Sequence, residues 1–288
     1  MTRNFMIVQS LILILLLMAF SVKAETSVDP FPGFNKGDTS AKAGDIILTP
    51  SYKMILNAVE QGPEKVSLIY YNAVMEKPGK DYSKVKFTFD GIQDIPNCLI
   101  IPIPAGQKAQ KGDVLLTWWQ SGSGMKRAYV VDASNPSEPV VKYIDIDYNN
   151  PAKNREGIPI GQMSEKLKPD TFAKLKDPFS PGTTVAVSEG PKRYSWAQVL
   201  RDDGKHLLVM AFASKVKIVE KSKCIPLPVI PDVKAGDTVQ IPSIGTFAGA
   251  KVVKVDREIG RVFVERTLGT QKKEMIIAFG DVATGLDI

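Results

Sequence analysis

The chain has 288 residues, a formal net charge of +6, 44% hydrophobic residues, two cysteines and a single histidine. The charge excess is small and carries no Lys/Arg block, so it leaves no electrostatic footprint for nucleic acid. One histidine and no Cys-x-x-Cys spacing exclude a His-rich zinc site and make any Ser-His-Asp triad hang on His206 alone.

In chain order, the first feature is Arg3 followed by the unbroken apolar run Leu11 to Phe20 and by Val22-Lys23-Ala24, a small-residue cleavage pattern. This predicts a secretory signal peptide over 1–24, cleaved after Ala24, and a periplasmic or secreted mature protein. The alternative is an uncleaved N-terminal anchor, but the apolar run is short for a bilayer crossing. No later stretch is apolar enough to span. Without residues 1–24 the chain carries 35 basic and 31 acidic residues, a net charge of +4. Residues 25–41 read as an N-terminal tail.

From there the sequence repeats. AGDIILTP, KGDVLLTW, PGTTVAVS and AGDTVQIP begin alternating strands at Gly44, Gly112, Gly182 and Gly236. Second strands follow with Ala-x-Val at Ala128–Val130, Ala197–Val199 and Ala250–Val252, while MILNAVEQG is the weakest counterpart in the first copy. Hairpin turns such as Asp202-Asp203-Gly204 and Glu258-Ile259-Gly260 lead to third strands: VSLIYY, VVKYIDID, LLVMAFA and RVFVERT. Helical periodicity is nearly absent, the exception being a short helix expected within Ser164–Phe179. The texture predicts an all-β protein of about four small closed barrels of roughly sixty residues each. Their bounds are 42–98, 99–160, 181–224 and 225–288, with a linker and short helix over 161–180. One large β-sandwich is the alternative. Cys98 and Cys224 each precede a Pro-rich connector, so the copies read as a duplicated pair. The two thiols either pair as a disulfide or pack separately.

Three motifs raise the question of chemistry. DIDYNNPAKNRE, Asp145 to Glu156, matches a calcium loop except at its glycine. The β-branched, alternating run before it argues instead for a strand entering a tight turn, with Asn149-Asn150 supplying a positive φ. On a regular strand Tyr143 would share an outer face with Asp145 and Asp147, and Ile144, Ile146 and Tyr148 would face inward. SGSG, Ser121 to Gly124, reads as a hairpin turn and not a phosphate loop. Tyr194 and Trp196 offer a second aromatic pair. No cofactor motif is present, and a glycosidase-type carboxylate pair has no sequence signature here.

The second copy resembles a known family. KGDVLLTWW, KRAYVV and YIDIDYNN are similar to the strand motifs of Tudor domains, in the SH3-like barrel group. The resemblance implies that Trp119, Tyr148 and Asn150 contribute to an aromatic cage of the kind that reads methylated lysine or arginine. Lys126 and Asp145 stand where further aromatics are usual, and Ser51, Glu189 and Ser243 replace Trp119 in the other copies. With Trp118 on the opposite strand face and Tyr143 nearby, the candidate ligand residues are Trp118, Trp119, Tyr143, Tyr148 and Asn150. The expected function is a non-enzymatic binding or scaffolding protein for an envelope protein or cell-wall polymer. The alternative is an envelope-polymer hydrolase.

Overall fold

The computed structural model describes residues 28–176 and 178–288. The expected signal peptide, 1–24, lies outside them. The protein is nearly all β, and no helix among the described residues is long and apolar enough to cross a membrane.

The strands run β1 (Ile46–Pro50), β2 (Tyr70–Lys77), β3 (Tyr82–Phe87), β4 (Gly91–Pro96) and β5 (Ile101–Pro102), with helix α1 (Tyr52–Gln61) between β1 and β2. Next come β6 (Val114–Trp118), β7 (Met125–Asp132), β8 (Val140–Tyr143), β9 (Glu165–Lys166) and β10 (Ala173–Lys174). Then follow β11 (Thr184–Gly190), β12 (Arg193–Asp202), β13 (His206–Ala211), β14 (Val216–Glu220) and β15 (Cys224–Pro226). The last are β16 (Thr238–Ser243), β17 (Thr246–Asp256), β18 (Arg261–Leu268) and β19 (Gln271–Ala278). The sheets are small and antiparallel, in the orders β4-β3-β2-β1-β5 and β10-β6-β7-β8-β9, plus a nine-stranded sheet of the remainder. In that last sheet β15-β11-β12-β13-β14 repeats the same order, and β16-β17-β18-β19 repeats it without a fifth strand. There Ala283 pairs with Gln240 of β16 instead.

One turn recurs at all four glycines. The N–H groups of Gly44, Gly112, Gly182 and Gly236 donate to Met75, Val130, Val199 and Val252 at 2.8–2.9 Å, and the carbonyls of Asp45, Asp113, Thr183 and Asp237 accept the return bonds. Each glycine sits at φ between +89° and +93°, a conformation that costs any residue with a Cβ. The aspartates earn their place by accepting the N–H three residues back, at Lys42, Gln110 and Lys234. In the third repeat Thr183 substitutes, its hydroxyl donating to the Ser180 carbonyl. A register shift follows in each second strand, directly after Met75, Val130, Val199 and Val252. Such a bulge bends and twists the strand.

This turn corrects the reading of the first repeat. MILNAVEQG forms α1, where Ser51 caps by accepting from the Met54 N–H at 3.4 Å and Gly62 ends the helix at φ +96°. The second strand is therefore β2, and Ala73-Val74-Met75 is the counterpart of Ala-x-Val. Those alanines are all buried, where strands approach too closely for a larger side chain.

A second correction concerns 161–180. The described residues of Ser164–Phe179 hold no helix. A 3₁₀ turn at Ile160–Gln162 precedes β9 and β10, which pair with β8 and β6 and complete the second sheet. Pro169 and Asp170, the latter at φ +60°, break helical continuity, and buried Leu167 and Phe172 anchor the segment. A third concerns 25–41. Its described part is no free tail: Phe31, Phe34 and Ala41 are buried in the main core. Asn97 and Arg201 donate to the carbonyls of Gly37 and Asp38 at 2.8 and 2.6 Å. Burial of each phenylalanine contributes roughly 1.5–3 kcal/mol.

The repeats share apolar ground. One cluster joins Ile47 and Met75, Leu116 and Tyr129, Leu200 and Leu208, and Val252 and Val264. In β11, Val185 and Val187 fill the third repeat's own interior while Ala186 faces a cluster with Phe247 and Leu286. Strands buried on both faces read as continuous apolar runs, as VLL and VAV do here. Cys98 and Cys224 are free thiols in different clusters, so the disulfide alternative is not realised. Burial pushes the thiols up to about 12 and about 11.

Candidate functional site

The five aromatic and amide candidates do not converge. Trp118 and Trp119 do point to opposite sides: Trp118 packs on the main core and Trp119 on the second repeat's interior. Tyr143 joins Trp119 in that interior and is 4% exposed. Its hydroxyl donates to the Glu165 carboxylate and accepts from the Gln120 N–H. Burial, and then the Glu165 hydrogen bond, raise its pKa. Tyr143 is thus inside the fold, contrary to the strand-face reading. The Ile144 N–H donates to the Arg127 carbonyl at 3.0 Å, one step further along the β7–β8 register, so the alternation holds but with the opposite face inside: Val141 and Tyr143 fill the second repeat's interior and Ile144 faces the main core. Ile144 and Ile146 are both buried as well.

Tyr148 belongs to a different surface. Its ring meets Phe263 of β18 edge-on at 6.3 Å, with the Arg261 guanidinium 5.9 Å from its centre. The Asp147–Asn150 turn closes through Asn150 N–H to the Asp147 carbonyl, and Asn149 N–H to the Asp147 carboxylate, both at 3.0 Å. Neither Asn149 nor Asn150 has a positive φ, so the aspartate side chain makes this turn, not a left-handed asparagine. Asn150 Oδ1 accepts from the Ala152 N–H. Gly161 lies so close that a Cβ there would sit 1.9 Å from the Asp147 carbonyl oxygen.

What does converge is a set of charged groups from the second and fourth repeats with neutral hydrogen-bonding groups from the third. Arg127, on β7, is 2% exposed. It meets Asp145 through its backbone N–H at 2.6 Å, Nε at 2.9 Å and Nη2 at 2.6 Å. Nη2 also reaches Asp281 at 2.7 Å, and Nη1 reaches Thr184 Oγ1 at 2.9 Å. Asp281 further accepts from Thr184 Oγ1 at 2.9 Å and Trp196 Nε1 at 3.0 Å. Arg127 and Trp196 each stand immediately before the Ala of their Ala-x-Val, so equivalent positions of two repeats meet on one acid of a fourth.

Comparison with protein-family models and with curated proteins finds no match to this chain.

Electrostatics here follow from burial. Desolvation opposes the charged form of both Arg127 and Asp145. Their mutual attraction outweighs it, so the guanidinium is held above its ordinary value and the Asp145 carboxyl below its own. Asp145 therefore has no proton to donate at neutral pH. Arg261, 4% exposed, is lowered, first by desolvation, against the pull of Asp145 and Asp281. It donates only through Nη2, to the carbonyls of Tyr143 and Ile146 at 3.0 and 2.8 Å. Its Nε and Nη1 have no acceptor among the described residues.

Asp145, Asp281, Arg261 and Trp196 help to wall a cleft of about 500 Å³, within the usual range for ligand sites. Met125, Ile144, Met210 and Pro242 supply apolar wall, Trp196 an aromatic one, and Asp147, Asp281 and Arg261 the polar edge. Of these residues, the sequence marks Trp196 as one of a second aromatic pair, and Asp145 as the start of the calcium-like stretch, as an outer-face neighbour of Tyr143 and as a departure from the cage pattern. Arg127 had a signal that went unused: a charge inside KRAYVV, a run apolar on both strand faces. Arg261 and Asp281 had none. His206 lies elsewhere, 3.5 Å from Asp203.

Proposed function

We propose that this is an exported, non-enzymatic binding or scaffolding protein that recognises an envelope protein or cell-wall polymer. Its repeats are read as SH3-like barrels, supported by the recurrent glycine turn, the bulge and the common strand order. The ligand seat is the cleft between the second, third and fourth repeats, in place of a Tudor-type cage at Trp119 and Tyr148. One observation carries this reading: Arg127 takes up the charge of Asp145 and Asp281, while Arg261, which lines the same cleft as Trp196, keeps Nε and Nη1 without an acceptor among the described residues. A hydrolase of the two-carboxylate kind needs one acid protonated, whereas the Arg127 guanidinium favours the ionised form of Asp145.

The test is sedimentation of the purified protein with insoluble cell-wall material and with envelope protein fractions, alongside a turbidity assay. Retention without clearing is expected, with loss of retention in Arg261→Gln. Clearing of the suspension would replace this reading with the hydrolase.

A further inference from the structure

We infer that the cleft takes an extended, apolar peptide strand, which adds to the free edge of β19. This rests on the binding reading above and names the class of ligand.

The edge comes first. β19 ends the path of its sheet, with β18 on one side and, among the described residues, no strand on the other. Ile276, Ile277 and Ala278 all line the cleft. Side chains alternate between faces along a strand, so three consecutive residues line a space only where the strand is seen edge-on.

The phase of the ladder says which groups are open. Register runs without a shift from Arg261↔Ala278 to Leu268↔Gln271, and the Phe279 N–H donates to the Gly260 carbonyl at 3.0 Å. In an antiparallel pair every second residue points its N–H and C=O at the partner. Phe279, Ile277 and Met275 therefore face β18. Ile276 and Ala278 face the cleft. The Ala278 carbonyl accepts from the Asp281 N–H at 3.2 Å, which leaves the Ala278 N–H and both Ile276 groups without a partner among the described residues and open to a guest.

Open strand edges invite pairing, and proteins blunt them with charge. The outer half of β19 carries Lys272, Lys273 and Glu274, all exposed. On β14, Lys217 and Glu220 are held in ion pairs with Glu189 and Lys223. On β4, Asp94 pairs with Lys84. The inner half of β19, Met275 to Ala278, has no such guard, and this is the half inside the cleft. Met125 and Met210, flexible thioethers that adapt to varied apolar side chains, line the same cleft, whose charged rim is Lys126, Asp145, Asp147, Arg261 and Asp281. Arg261 offers its unused N–H groups to a guest carbonyl or carboxylate. Backbone pairing with pockets for alternate side chains is how strand addition obtains affinity and selectivity.

The probe is a panel of end-capped hexapeptides of alternating valine and threonine or leucine and serine, the same peptides N-methylated on every amide, and soluble cell-wall glycan fragments. Each is titrated into the purified, isotope-labelled protein by NMR. Unmethylated peptides are expected to bind saturably, to shift and protect the Ile276 and Ala278 amides, and to lose tenfold or more in affinity on methylation, about 1.4 kcal/mol. Ile276→Lys, which guards the edge, should abolish binding with an unchanged circular dichroism spectrum, and Ile276→Val should retain it. The N-methylated arm needs no variant to fold. The inference is overturned if no peptide in the panel binds, if methylated peptides bind equally, or if Ile276→Lys binds as the parent does. Glycan binding without peptide binding also overturns it while leaving the cleft's binding role intact. Loss of retention on both cell-wall and envelope material would remove that role as well.

Discussion

Arg127 and Asp281 are 154 residues apart in the chain and meet at 2.7 Å. Asp145 lies 2.6 Å from the same Nη2 atom. Removing the guanidinium strands two acids that are 21% and 15% exposed. Arg127→Met should therefore destabilise by roughly 3–5 kcal/mol, the usual cost of breaking a buried pair. Urea unfolding measures it. Replacing Asp145 and Asp281 by Leu in the same background should recover part of the loss.

The same network sets an acid limit. The folded Asp145 carboxyl is held below its ordinary value. Its contribution is then present above the unfolded pKa, about 4, and is lost as pH falls through the folded value. Thermal unfolding of the parent and of Asp145→Asn across the acid range should show a gap that is full near neutrality and closes as pH drops below about 4.

The two tryptophans separate the cleft from the second repeat's interior. Trp196→Phe keeps a ring but removes the 3.0 Å bond to Asp281, so retention of the cell-wall or envelope partner should weaken. Trp119 packs on the buried cluster that includes Ala128 and Val141. Trp119→Phe should lower the unfolding midpoint and leave retention unchanged in the same pull-down. The opposite pattern would return the site to Trp119.

The four glycine turns rank by surroundings. A Cβ at Gly44 or Gly236 meets nothing within 4 Å, at Gly112 only the Tyr129 hydroxyl at 3.7 Å, but at Gly182 it meets Leu116 at 2.8 Å and Leu175 at 3.0 Å. Glycine to alanine at the first three should cost about 1–2 kcal/mol for the left-handed backbone. Gly182→Ala should cost more, because packing adds to it. Chemical denaturation of the four variants orders them.

Both thiols are buried and pushed up, to about 12 for Cys98 and about 11 for Cys224. The thiolate is the reactive form. At neutral pH a thiol reagent should label neither quickly in the native protein and both in denaturant, with the same electrophoretic mobility before and after reduction.

Local chemistry was legible in the sequence. Gly-Asp turns, alternating strands and Ala-x-Val are set by neighbouring residues, through φ preference, side chain to backbone bonds and strand crossing. They determined an all-β chain built on one recurring turn. α1 was missed because the motif expected after β1 lay twenty residues on, beyond an inserted helix. β9 and β10 were missed because two-residue strands carry no periodicity, and only their pairing with β8 and β6 makes them strands. The cleft belonged wholly to the tertiary structure. Whether Tyr143 or Trp196 faces a ligand depends on which face of its strand the repeat encloses and which repeat packs opposite. Arg127 becomes a centre only when folding brings Asp145 and Asp281 to it, a long-range electrostatic match that no local pattern encodes.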